Sequence, residues 1–546
     1  YESGYVQNDT IITDYVSASG SSSSSSSNNT SSGSADYSGD VTATLSDDLY
    51  TVTLKFDEAL YNNKDSLDEL KEKIQISRNG RFETFTSNDY IRLDTATNEL
   101  LIVLAEPADE YFSQIKLLSG ALRNADGSSV STTITTLPLG EAEGSIRTYI
   151  NNAVVTGFTS EQAGGEAPVI SVSGLSKFNT YAKQIEFLVK VPDSAKSATL
   201  NITGDIVENL KRYGSTVALS LGNATYYLPA GNISEISSSD TLSITISDSA
   251  SGVSSALASA SSSDSFTIES HAKNLRAKLI SSSGTSKDIT HSVFAEKRFL
   301  LTEPGSNKTA FTVVRIEKSG NVVPVPSASD ITSGVVYLTG KTMTDGDYAA
   351  ISSSRTLSTL TWAQSPTNAL ASRLILTGKS GSSLNGSEAI SRSETVTIMA
   401  RTLGILCDST GASPFFDMIS TDSYFDAVMS TVSLELISGY PDSTFKPSNK
   451  LTRAEAMTIV ARAIRFMNGK SVSKSSDMTL SEATSILSKF TDAGTVDDWA
   501  KVNIAECVQA GIVNGDNNGR LNPKANVTRA ELIQLMYNIL DKCDIL

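Results

Sequence analysis

Residues 452–455 (TRAE), 528–531 (TRAE) and 391–394 (SRSE) repeat one four-residue pattern, and each opens a stretch with the apolar periodicity of a helix. In each copy the arginine lies 14 positions after a glycine, namely Gly378, Gly439 and Gly515. An aromatic residue precedes the arginines by 30, 29 and 30 positions, at Trp362, Tyr424 and Trp499. The spacing predicts three helix–loop–helix units that bury their cores against one another.

The start of each second helix has the residues of a capping box, in which a hydroxyl and a carboxylate three positions later satisfy free backbone N–H groups. The cap does not need the arginine between them, which is Arg392, Arg453 or Arg529. Because a helix start offers N–H groups and a positive dipole end, we expect each arginine to complete an anion site. The alternative is that the arginines pair with local carboxylates such as Asp417 or Asp492 and hold the repeats together.

Further motifs recur around these boxes: FFD (415–417) and FTD (490–492), ISGYPD (437–442) and IVNGD (512–516), then FKP (445–447) and LNP (521–523). Together they resemble S-layer homology (SLH) modules, with copies at about 356–411, 412–469 and 487–546. The resemblance implies an all-α, pseudo-threefold bundle whose grooves bind an anionic, often pyruvylated, secondary cell-wall polysaccharide of bacteria with a Gram-positive type of wall. Such a protein is anchored noncovalently.

The ligand-groove positions of the family correspond here to Trp362, Tyr424, Trp499, Asp417, Asp492, Gly378, Gly439, Gly515, Arg392, Arg453 and Arg529. A guanidinium binds a carboxylate in a bidentate fork, and an aromatic face lies against a sugar ring. The first copy departs from the pattern, with RTLST (355–359) in place of Phe-x-Asp and GKSG (378–381) in place of Gly-Tyr-Pro-Asp. We therefore expect a weakened or specialised first groove. An insert at about 468–489 predicts a surface excursion with a short helix.

The rest of the chain is rich in Ser and Thr, and its alternating apolar segments predict β-strands. Residues 41–140 have the length and motifs of one immunoglobulin-like β domain, with a short helix expected at 66–76. Residues 141–355 predict one or two further β-rich domains. The predicted fold class is therefore multidomain, with all-β Ig-like sandwiches followed by an all-α SLH bundle.

Residues 1–40 predict an extended segment followed by a Ser-rich linker, because the run 21–27 has no apolar surface to bury. Residues 1–16 have β-forming character. One hypothesis is that they add as a strand to a neighbouring subunit in a lattice or fibre. The alternatives are a disordered terminus or a strand of the segment's own domain. The missing start methionine and signal peptide are expected for a mature exported protein, although a cut at a chosen boundary gives the same sequence.

Composition excludes several classes of function. The net charge of −16 argues against a nucleic-acid partner, and no apolar run is long enough for membrane insertion.

Cys507 and Cys543 either pair or remain buried free thiols, and Cys407 is left over. The loop GDNNG (515–519) lacks the spacing of a calcium-binding EF-hand, so a plain turn is favoured. We predict no metal or other cofactor, although a structural calcium ion is not excluded.

Catalysis is not expected, because His271 and His291 are the only two histidines and neither lies in a catalytic motif. A glycosidase carboxylate pair would leave no local signature. The sequence thus predicts a noncovalently anchored surface protein whose SLH repeats bind wall polysaccharide and whose β domains form an S-layer lattice or surface fibre. The alternative is an SLH-anchored adhesin whose Ig-like domains bind an external ligand.

Overall fold

The structure is a computed structural model, and it describes residues 35–36, 41–45, 51–56, 59–62, 67–78, 81–85, 89–104, 113–123, 129–136, 146–150, 153–155, 159–162, 166–172, 174–179, 184–191, 194–233, 235–302, 310–332, 335–378, 381–409, 411–470, 472 and 478–546. The segment 1–16 and the serine run lie outside these ranges. Strand addition by residues 1–16 and a linker at the serine run therefore stay predictions.

The first part of the chain is a β region over residues 35–136. Its elements are β1 (Ala35–Asp36), β2 (Val41–Leu45), β3 (Thr51–Phe56), β4 (Tyr61–Asn62), α1 (Leu67–Lys71), β5 (Ile74–Arg78), β6 (Arg81–Thr84), β7 (Tyr90–Asp94), β8 (Glu99–Val103), β9 (Ser113–Arg123) and β10 (Ser129–Thr136). One sheet has the order β1-β10-β9-β5-β6, with β4 also on β9, and the other has the order β2-β3-β8-β7. The pairing of β1 with β10 is parallel.

The two sheets share one core. Along β3, burial alternates so that Val52 and Leu54 point inward, as the period-2 geometry of a strand requires. The same buried cluster contains Ile115 and Leu117 of β9 in the other sheet. The β character predicted for this region is confirmed, and its immunoglobulin-like topology stays a prediction.

The helix expected at 66–76 is only partly correct. Helix α1 covers Leu67–Lys71, but the chain from Ile74 onward is strand β5. Ile74 and Ile76 are both fully buried two positions apart. That spacing places them on one face of a strand, whereas on a helix they would lie on different faces.

The second β region covers residues 147–353. Its strands are β11 (Arg147–Ile150), β12 (Ala153–Val155), β13 (Thr159–Gln162), β14 (Val169–Val172), β15 (Glu186–Val191), β16 (Ser197–Thr203), β17 (Thr216–Leu221), β18 (Ala224–Pro229), β19 (Thr241–Asp248), β20 (Thr267–Ile268), β21 (Lys273–Ile280), β22 (Ser286–Asp288), β23 (Ala295–Leu301), β24 (Ala310–Ile316), β25 (Val322–Pro324), β26 (Ser327–Thr332), β27 (Val335–Thr342) and β28 (Gly346–Ser353). Its helices are α2 (Leu175–Phe178), α3 (Gly204–Arg212) and α4 (Ser251–Asp264).

These strands form two large sheets. One has the order β12-β11-β15-β17-β18-β23-β27-β26, and the other has the order β13-β14-β16-β19-β21-β28-β24-β25, with β20 on β28 and β22 on β21. A single buried cluster takes side chains from both, including Phe187 and Leu219 from the first sheet and Leu200 and Ile244 from the second. The described residues of this region therefore share a core across the two sheets. The division of residues 141–355 into one or two domains stays a prediction.

The last part of the chain is helical. Its helices are α5 (Gln364–Ser372), α6 (Arg392–Thr402), α7 (Phe425–Ser433), α8 (Arg453–Met467), α9 (Leu480–Leu487), α10 (Asp498–Gln509) and α11 (Arg529–Lys542). The first helices of the three copies end at Ser372, Ser433 and Gln509, six positions before the glycine in each case. The second helices begin at the arginines. The repeat predicted from spacing is confirmed.

The insert between the second and third copies contains the expected short helix, α9, which packs on α10 through buried Ala483 and Leu487. One apolar cluster joins helices of all three copies, with Val396, Val460 and Ile533 among its members. Within the described ranges, no helix is both long enough and apolar enough to cross a membrane. The fold is thus β-rich in its first two thirds and helical in its last third.

Candidate functional site

The predicted capping boxes are present at the start of all three second helices. Ser391, Thr452 and Thr528 each accept a hydrogen bond from the backbone N–H of the glutamate three positions on, and that glutamate accepts one from the cap's own N–H. A fourth box, Thr479 with Glu482, starts α9. This fourth box was not predicted from the sequence, although its Thr-x-x-Glu spacing is the same signal.

The helix starts do not offer free N–H groups to an anion, which corrects the sequence-based expectation. The backbone N–H groups of Arg392, Arg453 and Arg529 donate to the carbonyls of Asn449, Ala525 and Glu388, at 2.9, 2.8 and 2.9 Å. In each case the acceptor belongs to the loop of the next copy in the cyclic order one, two, three, one. The following residue also donates to that loop, as when Ala454 bonds to Pro523 at 2.9 Å. The backbone N–H groups in the first turn of each second helix therefore hydrogen-bond the copies to one another.

The arginine side chains continue the same cyclic contacts. Arg453 donates through Nε to the Leu521 carbonyl at 2.8 Å and through Nη1 to Oε1 of Glu531 at 2.5 Å. Arg529 donates to the Leu384 carbonyl at 2.8 Å and to Oε1 of Glu394 at 2.7 Å. These glutamates are the capping residues of the next copy. Burial alone would lower the pKa of Arg529, but its glutamate partners raise it above the ordinary value.

Arg392 is the most enclosed of the three arginines, with 5% of its surface exposed. Its Nε donates to the Phe445 carbonyl at 2.9 Å and its Nη2 to the Ser438 carbonyl at 3.0 Å. The rings of Tyr440 and Phe445 each lie 4.8 Å from its guanidinium carbon, a cation–π distance. Burial lowers the pKa of Arg392, against the opposing effect of nearby Tyr440.

The two predicted aspartates hold loops in place. Asp417 accepts hydrogen bonds from the backbone N–H groups of Phe445 and Lys446, at 2.8 and 2.7 Å. Asp492 does the same for Leu521 and Asn522, at 2.8 and 2.7 Å. Among the described residues, neither carboxylate forms an ion pair or a hydrogen bond with the predicted arginines. The alternative in which the arginines pair with local carboxylates and hold the repeats together nevertheless fits two of them, with glutamates as the partners. Arg453 binds Glu531, and Arg529 binds Glu394 and Glu388.

The predicted glycines leave room for aromatic rings. A Cβ at Gly439 would lie 2.1 Å from Cε1 of Phe415, and one at Gly515 would lie 2.8 Å from Cε1 of Phe490. Gly378 of the first copy has φ +128°, a backbone conformation that other residues rarely adopt. A Cβ there would lie 3.6 Å from Leu357, which occupies the place of the phenylalanine. The first copy thus keeps an apolar support for its glycine without the Phe-x-Asp motif.

One groove brings together predicted site residues from all three copies. Trp362 of the first copy, Arg453 of the second and Gly515 of the third line a cavity of about 550 Å³, together with Glu531 and Asn538. Trp362 and Trp499 are each 55% exposed, and Tyr424 is half-buried. An exposed indole beside a guanidinium can bind a sugar ring and an acidic substituent at the same time.

Two smaller predictions concern the loop 515–519 and the cysteines. The Asp516 carboxylate accepts from the backbone N–H groups of Asn518 and Arg520, both at 2.9 Å, as in a plain turn. All three cysteines are free; Cys507 is buried, whereas Cys407 and Cys543 are half-buried. The pairing of Cys507 with Cys543 does not occur in the structure.

Comparison with known proteins adds to this geometry. The family model of the S-layer homology domain matches residues 414–457 and 489–533, within the second and third copies. The chain is similar to the surface-layer 125 kDa protein of Lysinibacillus sphaericus, with 29% identity over 173 residues, 31% of this chain and 13% of that protein.

Two further relatives have different names. A cellulosome-anchoring protein of Acetivibrio thermocellus is 26% identical over 170 residues, 31% of this chain and 35% of that protein. An amylopullulanase of Thermoanaerobacterium thermosulfurigenes is 29% identical over 197 residues, 36% of this chain and 10% of that enzyme. The chain therefore covers well under two thirds of the length of each of these relatives.

Proposed function

The chain carries S-layer homology domains and lies at the bacterial cell-wall surface, and from this premise we propose that its three repeats form a pseudo-threefold bundle that binds an anionic, pyruvylated secondary cell-wall polysaccharide. The binding is noncovalent and the role of the repeats is anchoring. The cyclic contacts between copies support the bundle, since each second helix donates to the loop of the next copy. The amylopullulanase match covers only 10% of that enzyme, which is consistent with a shared non-catalytic module.

The observation that carries the proposal is the groove of about 550 Å³ that Trp362, Arg453 and Gly515 line from three different copies. Trp362 offers an exposed aromatic face for a sugar ring. Arg453 already binds Glu531, so an acidic sugar would compete with that carboxylate for the guanidinium. Ligand binding and contact between copies therefore use the same arginine.

The test is sedimentation of the full chain with purified cell-wall sacculi, before and after acid extraction of the secondary polymer. We expect binding only to the unextracted sacculi. Trp362→Ala should weaken binding about tenfold, the loss expected for removing one stacking contact of 1–2 kcal/mol. Tyr90→Ala is the matched control, because Tyr90 is 54% exposed in the first β region. Equal binding to extracted sacculi would refute the proposal.

We further propose that the β regions assemble into an S-layer lattice or surface fibre. Electron microscopy of the purified full chain tests this, and ordered arrays or filaments are expected. Monodisperse monomers that retain sacculus binding would favour the adhesin alternative. Deleting residues 1–16 tests whether that segment contributes a strand to a neighbour, because assembly should then be lost while sacculus binding is retained.

A further inference from the structure

A charged cluster is buried in the second β region, far from the repeat grooves in sequence. Lys297 of β23 is completely buried, and its Nζ lies 2.9 Å from Oδ1 of Asp345, a residue between β27 and β28 whose side chain is 13% exposed. Burying an ammonium and a carboxylate is costly unless both are paired and hydrogen-bonded. The neighbours of this pair show how they are held.

The two oxygens of the Asp345 carboxylate have different surroundings. Oδ1 accepts from Lys297, from the Tyr226 hydroxyl at 2.5 Å, and lies 3.1 Å from Nε2 of His291. Oδ2 accepts from the backbone N–H of Ala277 at 2.7 Å. One oxygen therefore faces every side chain that can supply a proton, and the other faces a fixed backbone donor.

The ammonium of Lys297 also lies against an aromatic surface. Its Nζ is 2.8 Å from the ring centroid of Tyr226 and 5.7 Å from that of Tyr348, and both tyrosines are fully buried. The amine is thus fully buried between aromatic rings and held against the carboxylate. This arrangement favours condensation of the two groups, because an amine and a carboxyl held in contact react as an intramolecular pair.

We propose that Lys297 and Asp345 form an intramolecular isopeptide bond. A proton first passes from the Lys297 ammonium to Oδ1. The neutral amine then attacks Cγ, the Cγ–Oδ1 bond breaks with its electron pair on oxygen, and Oδ1 leaves as water with a second proton from the former ammonium. Oδ2 remains as the amide oxygen and keeps its bond to the Ala277 N–H, which also stabilises it while negative charge develops. One ammonium and one carboxylate give one amide and one water, so no other reactant is needed.

The electrostatics of the cluster favour the ion pair, so the first proton transfer is the demanding step of the reaction. Burial lowers the pKa of Lys297 to about 8, against the opposing effect of Asp345, so the neutral amine is accessible near neutral pH. Burial would raise the pKa of Asp345, but Lys297 and His291 hold it below its ordinary range, so the ion pair is the starting state. His291 is placed to relay protons, since its Nε2 lies 3.4 Å from the Tyr226 hydroxyl as well as near Oδ1.

The product water has a place to go. His291, Thr344 and Asp345 line a cavity of about 660 Å³ that is also bordered by Ile405 and Ser430 of the helical region. The bond would tie β23 to the connection between β27 and β28, where the chain passes from one large sheet to the other. A covalent tie at this connection limits unravelling of the region under load, as suits a protein on a cell surface.

A second lysine–aspartate pair provides a control within the same region. Lys273 lies 2.7 Å from Asp248, but the Asp248 side chain is 57% exposed. Water solvates that carboxylate and keeps the ammonium charged, so we expect no condensation there. The two pairs therefore distinguish the effect of proximity, which they share, from the effect of burial, in which they differ.

The experiment is intact-mass measurement of the purified full chain, followed by tryptic peptide mapping. We expect a mass about 18 Da below the sequence value, the loss of one water, and a branched peptide that joins Lys297 to Asp345. Lys297→Arg and Asp345→Ala should each restore the sequence mass, whereas Asp248→Ala should retain the deficit. A wild-type chain with the full sequence mass and normal tryptic cleavage after Lys297 would overturn the proposal, and this result does not depend on whether any variant folds.

Discussion

The Arg529 guanidinium lies 2.7 Å from Oε1 of Glu394, so the arginine of the third copy binds the capping glutamate of the first. Arg453 binds Glu531 in the same way, from the second copy to the third. Each of these glutamates caps its own helix with one oxygen and holds a neighbouring copy with the other. Local capping and contact between copies therefore depend on the same side chains.

Replacing Glu394 with Gln should lower the free energy of unfolding of the helical region. Glutamine keeps an acceptor for the capping box but loses the charge that binds Arg529. Because the Glu394 side chain is 41% exposed, solvent screens the pair and we expect a loss of only about 0.5–1 kcal/mol. Urea denaturation measures it. Glu482→Gln is the control, since that capping carboxylate bonds within its own box on an exposed helix start, and an equal loss there would show that the arginine contact contributes nothing.

The same pair predicts how stability depends on pH. Burial alone would raise the pKa of Glu394, but bonds from Ser391 and Arg529 lower it below its ordinary value of 4.5. A carboxyl with a lowered folded-state pKa contributes stability above its unfolded value and loses that contribution as the pH falls through the folded value. As the pH is lowered below 4.5, the urea midpoint of the wild type should therefore decrease more steeply than that of Glu394→Gln. Parallel curves for the two proteins would contradict this account.

Gly439→Ala should destabilise the second copy by about 1–3 kcal/mol, the usual cost of overpacking. The added Cβ would overlap the Phe415 ring, which must then move away from its place beneath the glycine. Gly411→Ala is a matched control at the boundary between the first and second copies, because a Cβ there meets nothing within 4 Å. Thermal unfolding followed by circular dichroism distinguishes the two variants, and equal shifts in Tm would show that contact with Phe415 is not the cause.

The sequence predicted those features that are local. The arginine starts of α6, α8 and α11 and their capping boxes follow from a spacing of three residues and a helical period. The partners of the arginines could not be predicted, because Glu394 and Arg529 are 135 positions apart and only the closing of the three copies brings them together. The Lys297–Asp345 pair was missed for the same reason, since no short motif marks a contact between residues 48 positions apart.

Two of the three free cysteines, Cys507 and Cys543, should differ in their reactivity toward iodoacetamide. Cys507 is completely buried on α10, its thiol donates to the Met457 carbonyl, and burial raises its pKa far above the ordinary value. Cys543 is only half-buried at the end of α11, and burial raises its pKa less strongly. Because the thiolate is the reactive form, Cys543 should be alkylated first and Cys507 only when the third copy unfolds. Peptide mass mapping after timed labelling at pH 8 measures both rates, and labelling in 8 M urea, where the two rates should converge, is the control. Alkylation of Cys507 in the native protein as fast as that of Cys543 would mean that α8 and α10 do not enclose the thiol in solution.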